Sequence, residues 1–174
     1  MGTIKAINKL FLFRILGEEG NAWKVAYQSD VSTDESRTYD SVETKDGTGK
    51  AAGAYEASHS LTTYMAEDDA YIGQLKELVR TGNGKLEVWN IDRSGIYDDP
   101  EATELAGEYS VDVVSSISES AGSDGNVEIS IDTEVEQGII SGEVTVTAAL
   151  TAMLKRVSDE LEFVQPIEAV DEGD

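Results

Sequence analysis

Val127–Glu136 reads VEISIDTEVE. Val127, Ile129, Ile131 and Val135 fall on one side of an extended chain, and Glu128, Ser130, Asp132, Glu134 and Glu136 on the other. Strand side chains alternate between the faces of a sheet, so this stretch predicts a strand with one apolar and one carboxylate face. That pattern belongs to antiparallel sheets that cover a core on one side only.

Outward from it, the same period recurs. Glu143–Leu150 (EVTVTAAL) sets Val144, Val146, Ala148 and Leu150 against Glu143, Thr145 and Thr147. Glu108–Ser118 carries Tyr109, Val111 and Val113, slips phase at Val114 and resumes at Ile117, which predicts a β-bulge. Gly122–Gly125 and Gly138–Gly142 are turn-like linkers. Near the N-terminus, Phe11–Leu16 is strand-length and apolar. Glu18-Glu19-Gly20-Asn21 has turn chemistry, and Ala22–Gln28 alternates again, so a hairpin is expected there. Ala54–Tyr64 places Tyr55, Ala57, His59 and Leu61 opposite Glu56, Ser58, Ser60 and Thr62. Lys85–Ile91 (KLEVWNI) is a further strand, with Leu86, Val88 and Asn90 opposite Glu87, Trp89 and Ile91. Residues 94–106 read as an acidic connection around Pro100.

One helix stands out. Glu67-Asp68-Asp69 sits where acids suit a helix N-terminus. Ile72, Leu75, Leu78 and Val79 follow at helical spacing, and Gly82-Asn83-Gly84 ends the run. Asp30–Gly53 differs from everything around it: long, polar, and with little to bury. A polar excursion of that length in a compact domain is functional or disordered. It is read as a projecting loop or β-hairpin arm. The fold class expected is mainly β: a β-sandwich or partly closed barrel with one flanking α-helix, a long projecting arm and extended termini. A parallel α/β sheet would need several crossover helices. Domain organisation is expected as one β-domain over 1–157 and an acidic C-terminal arm over 158–174.

The 174 residues hold 13 Lys and Arg against 35 Asp and Glu, a net charge of −22. The imbalance is lopsided: no Lys or Arg occurs from Ser94 to Leu154. Wrapping nucleic acid through phosphate contacts needs a basic surface, and docking on an anionic membrane needs the same. One acidic face is expected, in the fold or in an assembly. With no cysteine there is no disulfide framework, thiolate zinc site or cysteine nucleophile, and one histidine excludes a multi-histidine metal site. No cofactor is expected. Lys9–Leu16 is too short for a membrane span and lacks a signal-peptide cleavage site.

No motif in the sequence makes up a catalytic constellation. His59 lacks a nucleophile–acid set and is read as a structural histidine. Gly47-Thr48-Gly49-Lys50 has neither the spacing nor the following helix of a phosphate loop. Asp124–Glu128 begins like a calcium loop but has Ile129 where that loop needs glycine. Carboxylate pairs are too many to single out a glycosidase pair.

Several blocks carry a resemblance. Trp23–Gly47 (WKVAYQSDVSTDESRTYDSVETKDG), Gly53–Met65 (GAYEASHSLTTYM), Leu75–Ile91 (LKELVRTGNGKLEVWNI) and Gly107–Thr147 resemble the major tail protein of long-tailed siphophages, most of all those of lactococci, lactobacilli and related Gram-positive hosts. The resemblance covers roughly residues 20–150 and is carried by block order: polar arm, K-D-G, strand, short helix, L-E-V-W. It implies a structural virion protein, not an enzyme. Its subunits would form hexameric rings stacked as a tube around a tape-measure protein, between tail-tip and tail-terminator proteins. DNA would later pass without specific binding, and no membrane is involved. Assembly would take place in the host cytoplasm. By block order, Glu67–Arg80 would be the flanking helix and Asp30–Gly53 the inter-ring arm, with Asp30, Asp34, Glu35, Arg37, Asp40, Glu43 and Lys45 as its polar contacts. A tube for DNA should repel phosphate, so Glu128, Asp132, Glu134 and Glu136, or the equivalent faces of neighbouring strands, are expected to face the lumen. The alternative reading is a secreted or surface β-sandwich module for adhesion or carbohydrate binding.

Overall fold

The computed structural model describes residues 3–25, 27–67, 69–123 and 125–154. After a 3₁₀ turn at Ala6–Asn8 come β1 (Lys9–Ile15), β2 (Gln28–Thr44), β3 (Gly47–Tyr64), α1 (Tyr71–Thr81), β4 (Leu86–Asp92), α2 (Ser94–Asp98), β5 (Glu104–Ser120), β6 (Glu128–Val135), β7 (Ile140–Thr145) and α3 (Ala148–Leu154). The strands form one antiparallel sheet in the order β1-β4-β5-β6-β3-β2, with β7 pairing β5.

The sheet curls until its two ends meet. Gln28, at the start of β2, donates from Nε2 to the carbonyl of Phe11 on β1 (2.7 Å) and accepts from the Phe11 amide at Oε1 (2.9 Å). One side-chain amide thus stands in for strand pairing across the seam. Phe11 also meets His59 of β3 edge-on across the interior, with ring centroids 5.1 Å apart. Of the two architectures expected, the partly closed barrel is the one found.

Two apolar clusters hold it. Inside the curl, Phe11, Phe13, Trp23, Leu61, Val88 and Ile131 pack with Ile72 and Leu75 of α1. On the outer face of β1, β4 and the first part of β5, Leu10, Leu12, Ile91 and Leu105 pack with Ile96 of α2 and Leu150 and Leu154 of α3. Strands β1 and β4 lie between both clusters, which is why LFLF is apolar without alternation. Elsewhere the outer face carries no second layer among the described residues.

Several sequence expectations are corrected. Among the described residues of Ala22–Gln28 the expected hairpin strand does not form: Trp23 makes an isolated bridge to Phe13, through two 2.8 Å backbone bonds, and Gln28 already opens β2. Gly17 and Gly20 turn the chain at φ +94° and +114°, and Tyr27 at φ +53° redirects it into β2. Glu143–Leu150 is a strand only as far as Thr145, the end of β7. Leu150 and Leu154 bury one turn apart on α3, where the Thr147 hydroxyl accepts from the Leu150 amide. The single expected helix has two short companions, α2 and α3, each with too few apolar positions to show a period. Between Glu108 and Ser118 of β5 the buried residues are Ser110 and Asp112, not the valines flanking Asp112. The phase slip is real, a register shift between Val114 and Ser116. Helix α1 begins at Tyr71, whose amide bonds Asp69 Oδ1 (3.0 Å), and Gly82 closes it at φ +63°. The acidic arm 158–174 lies outside the described residues, as do Asp68 and Asp124.

Candidate channel and assembly surfaces

Register turns the alternation of β6 into a surface. On the face away from the core, rows run straight across four strands: Asp34, Ser58, Glu134 and Val113; Ser32, Ser60, Asp132 and Ser116; Asp30, Thr62, Ser130 and Ser118. Tyr64, Glu128 and Ser120 make a fourth row. The rows carry five carboxylates and no cation. Asp132 is fixed at their centre, accepting from Ser60 Oγ (2.7 Å) at one oxygen and from Ser116 Oγ (2.8 Å) at the other. The remaining carboxylates are exposed. Hydroxyls and carboxylates in this arrangement repel anions and present no nucleophile–base pair.

Three of the four residues expected on this face, Glu128, Asp132 and Glu134, share it. Glu136 lies past the end of β6 and pairs with Lys85 (2.7 Å). Asp30 and Asp34, expected in the arm, lie on the rows beside Asp132 instead. The alternation of β2 hides this, because only Val31 marks its apolar phase within a polar run.

Beyond Ser58, β3 no longer pairs with β6, and the β2–β3 hairpin continues alone as a two-stranded arm to the turn at Lys45 and Asp46. Glu35, Arg37, Asp40, Glu43 and Lys45 are all exposed on it. Its lower half is stiffened at one spot. Tyr55 donates to Glu35 (2.5 Å), Arg37 donates to the Gly53 carbonyl (2.9 Å) and lies over the Tyr55 ring. The hydrogen bond to Glu35, helped by burial, raises the Tyr55 pKa. The Gly47–Lys50 motif forms the first residues of β3 on this arm and has no helix after it.

On the opposite half of the same face, a groove of about 420 Å³ is lined by Leu12, Arg14, Trp89, Tyr109, Ile140 and Leu150. Arg14 forms a two-point bond with Glu87 (2.6 and 3.1 Å), and Tyr109 donates to the same carboxylate (2.9 Å). Among the described residues, no group of three or more His, Asp or Glu is placed to hold a metal, and no helix is long and apolar enough to cross a membrane.

A curled antiparallel sheet, a projecting hairpin and an acid-lined face are the surfaces of an assembly subunit, and among the described residues no catalytic set accompanies them. The family model for phage tail tube proteins matches residues 3–157, and the chain belongs to that family. It is a structural component of the phage tail rather than an enzyme or an adhesion module. Its fold is similar to the SPP1 tail tube solved by solid-state NMR and cryo-EM, with a TM-score of 0.68 at 18% identity over 87% of this chain and 85% of that one. It is also similar to a tail protein of a gene transfer agent particle refined with C6 symmetry (TM-score 0.57, 13% identity, 79% and 98% covered). A third likeness is to a chain of the sheath–tube complex of an extracellular contractile injection system (0.52, 14%, 78% and 89%). No curated protein sequence matches the chain significantly.

Proposed function

We propose that six copies of this tail tube protein close into a ring with the β5-β6-β3-β2 face turned inward. Stacked rings then form a channel whose wall is lined by Asp30, Asp34, Glu128, Asp132 and Glu134. The observation that carries this reading is the polar face: four strands wide, with five carboxylates and no Lys or Arg in its rows, and no second layer upon it among the described residues. A DNA channel needs low affinity for its cargo, and each cation would add a phosphate contact that holds the DNA back. The arm beyond Ser58 reaches the next ring; eleven residues of strand extend about 36 Å. A tape-measure protein fills the channel during assembly in the host cytoplasm, and tail-tip and terminator proteins close its ends.

Negative-stain electron microscopy of the purified protein tests the assembly. Hollow tubes or six-fold rings are expected, and they should lengthen as salt rises, because like charges at −22 per subunit are screened. Tubes that shorten steadily as salt is added would contradict this account.

A further inference from the structure

His59 is buried inside the barrel at the root of the arm, one residue from the outermost β3–β6 pair, Ser58 with Glu134. Its surroundings form a chain of hydrogen bonds with a direction. Asp112, fully buried, accepts from Ser110 Oγ (2.6 Å) and from Thr133 Oγ1 (2.5 Å). A serine hydroxyl has one proton, and here Asp112 takes it. Ser110 Oγ, 3.1 Å from His59 Nε2, must therefore accept from that nitrogen. Nδ1 is then the bare nitrogen and accepts from Thr33 Oγ1 at 2.8 Å. Asn90 Nδ2 donates to Thr33 Oγ1 in turn (3.4 Å). The chain links β4, β2, β3, β5 and β6, and each member uses its proton once.

We infer that this chain is a latch seating the root of the arm, that it requires His59 as the neutral Nε2–H tautomer, and that it opens when His59 takes up a proton. A second proton on Nδ1 reverses the bond to Thr33, whose own hydroxyl proton then has no acceptor within the chain. The charged groups facing the ring are Asp112 and Glu108 from β5 and Glu35 from β2, and all three favour the imidazolium. Phe11 from β1, Asn90 from β4 and Thr133 from β6 carry no charge. Burial opposes protonation and outweighs the three carboxylates, so the pKa lies below the ordinary 6.5. A histidine whose pKa falls on folding stabilises the fold fully above its unfolded value. That contribution is lost as pH drops from 6.5 towards the folded value. The latch is thus closed at neutral pH and opens in acid, below the ordinary histidine range.

Two measurements on the full chain test it. Imidazole ¹⁵N NMR at neutral pH should show the Nε2–H tautomer. Hydrogen-exchange protection of the arm amides, residues 33–57, taken relative to the intrinsic rate at each pH, should fall about tenfold as His59 takes up its proton, while β4 and β5 stay protected. Thr33→Val, which removes the hydroxyl and keeps the shape, should give that lowered arm protection already at neutral pH. The Nδ1–H tautomer, or arm protection indifferent to His59 titration, would overturn the latch. If the Thr33 variant does not fold, the tautomer and the pH dependence of the unsubstituted chain decide the matter alone.

Discussion

Glu87 shows how one residue can be buried against its nature. It sits on β4 facing the outer cluster, 7% exposed, between Leu86 and Val88. Burial pushes its pKa up, but hydrogen bonds from Arg14 and Tyr109, with the charge of Arg14, outweigh that and hold it below the ordinary 4.5. An acid with a lowered pKa stabilises the fold above its unfolded value and loses that contribution as pH falls through the folded one. Arg14→Met leaves the carboxylate with Tyr109 as its remaining partner in this group, at a cost of about 1–3 kcal/mol near neutral pH. Urea denaturation of wild type and variant at neutral pH and near pH 3 should show the difference shrinking in acid. An equal difference at both would remove Glu87 as the cause. The same residue scale holds what the sequence conceals. Ser110 and Asp112 alternate with Tyr109, Val111 and Val113, and hydropathy alone assigns the valines to the core. The polar phase is buried because His59 and Thr133 receive it, and those partners lie 51 and 21 residues away.

At the scale of elements, legibility follows how local the cause is. The β6 alternation, the α1 period with its Gly82 stop and the β5 slip are written within ten or so residues, and each is found close to where it was read. The segment Ala22–Gln28 alternates equally well, yet of its described residues only Trp23 bridges to β1 before Gln28 opens β2, because the glycine turns before it carry the chain away after one bridge. In Glu143–Leu150, an even spacing of apolar residues is shared by a strand end and a helix start, and packing of Leu150 with Leu154 decides between them. The arm was legible as a loop or a β-hairpin but not as one of the two, since its pairing rests on backbone bonds that polar side chains neither favour nor reveal. Its register does rest on Gly53. The irregularity between Arg37 and Tyr39 brings Thr38 across, and a Cβ at Gly53 would lie 2.2 Å from Thr38 Oγ1 and 3.1 Å from its carbonyl. Gly53→Ala is expected to destabilise the arm by about 1–3 kcal/mol while leaving the barrel intact. Limited proteolysis should then cut within residues 35–57 faster than in wild type. Unchanged cleavage would mean that the hairpin tolerates a shift there.

At the scale of the whole molecule, charge and curvature point to one arrangement. The barrel covers its inner face with apolar side chains, and part of its outer face with α2 and α3. Another part is left as rows of serine, threonine and carboxylate. The sequence announced an acidic face through β6 alone. The contributions of Asp30 and Asp34 became visible only when β2 folded back beside β3. The central claim is that this face is the channel wall, and a cryo-EM reconstruction of the assembled tube tests it most directly. The predicted map places the Asp132 and Glu134 side chains on the inner surface, with α1 and the Arg14–Trp89 groove away from the lumen. A map with those carboxylates on the outer wall, or buried between subunits, would contradict it.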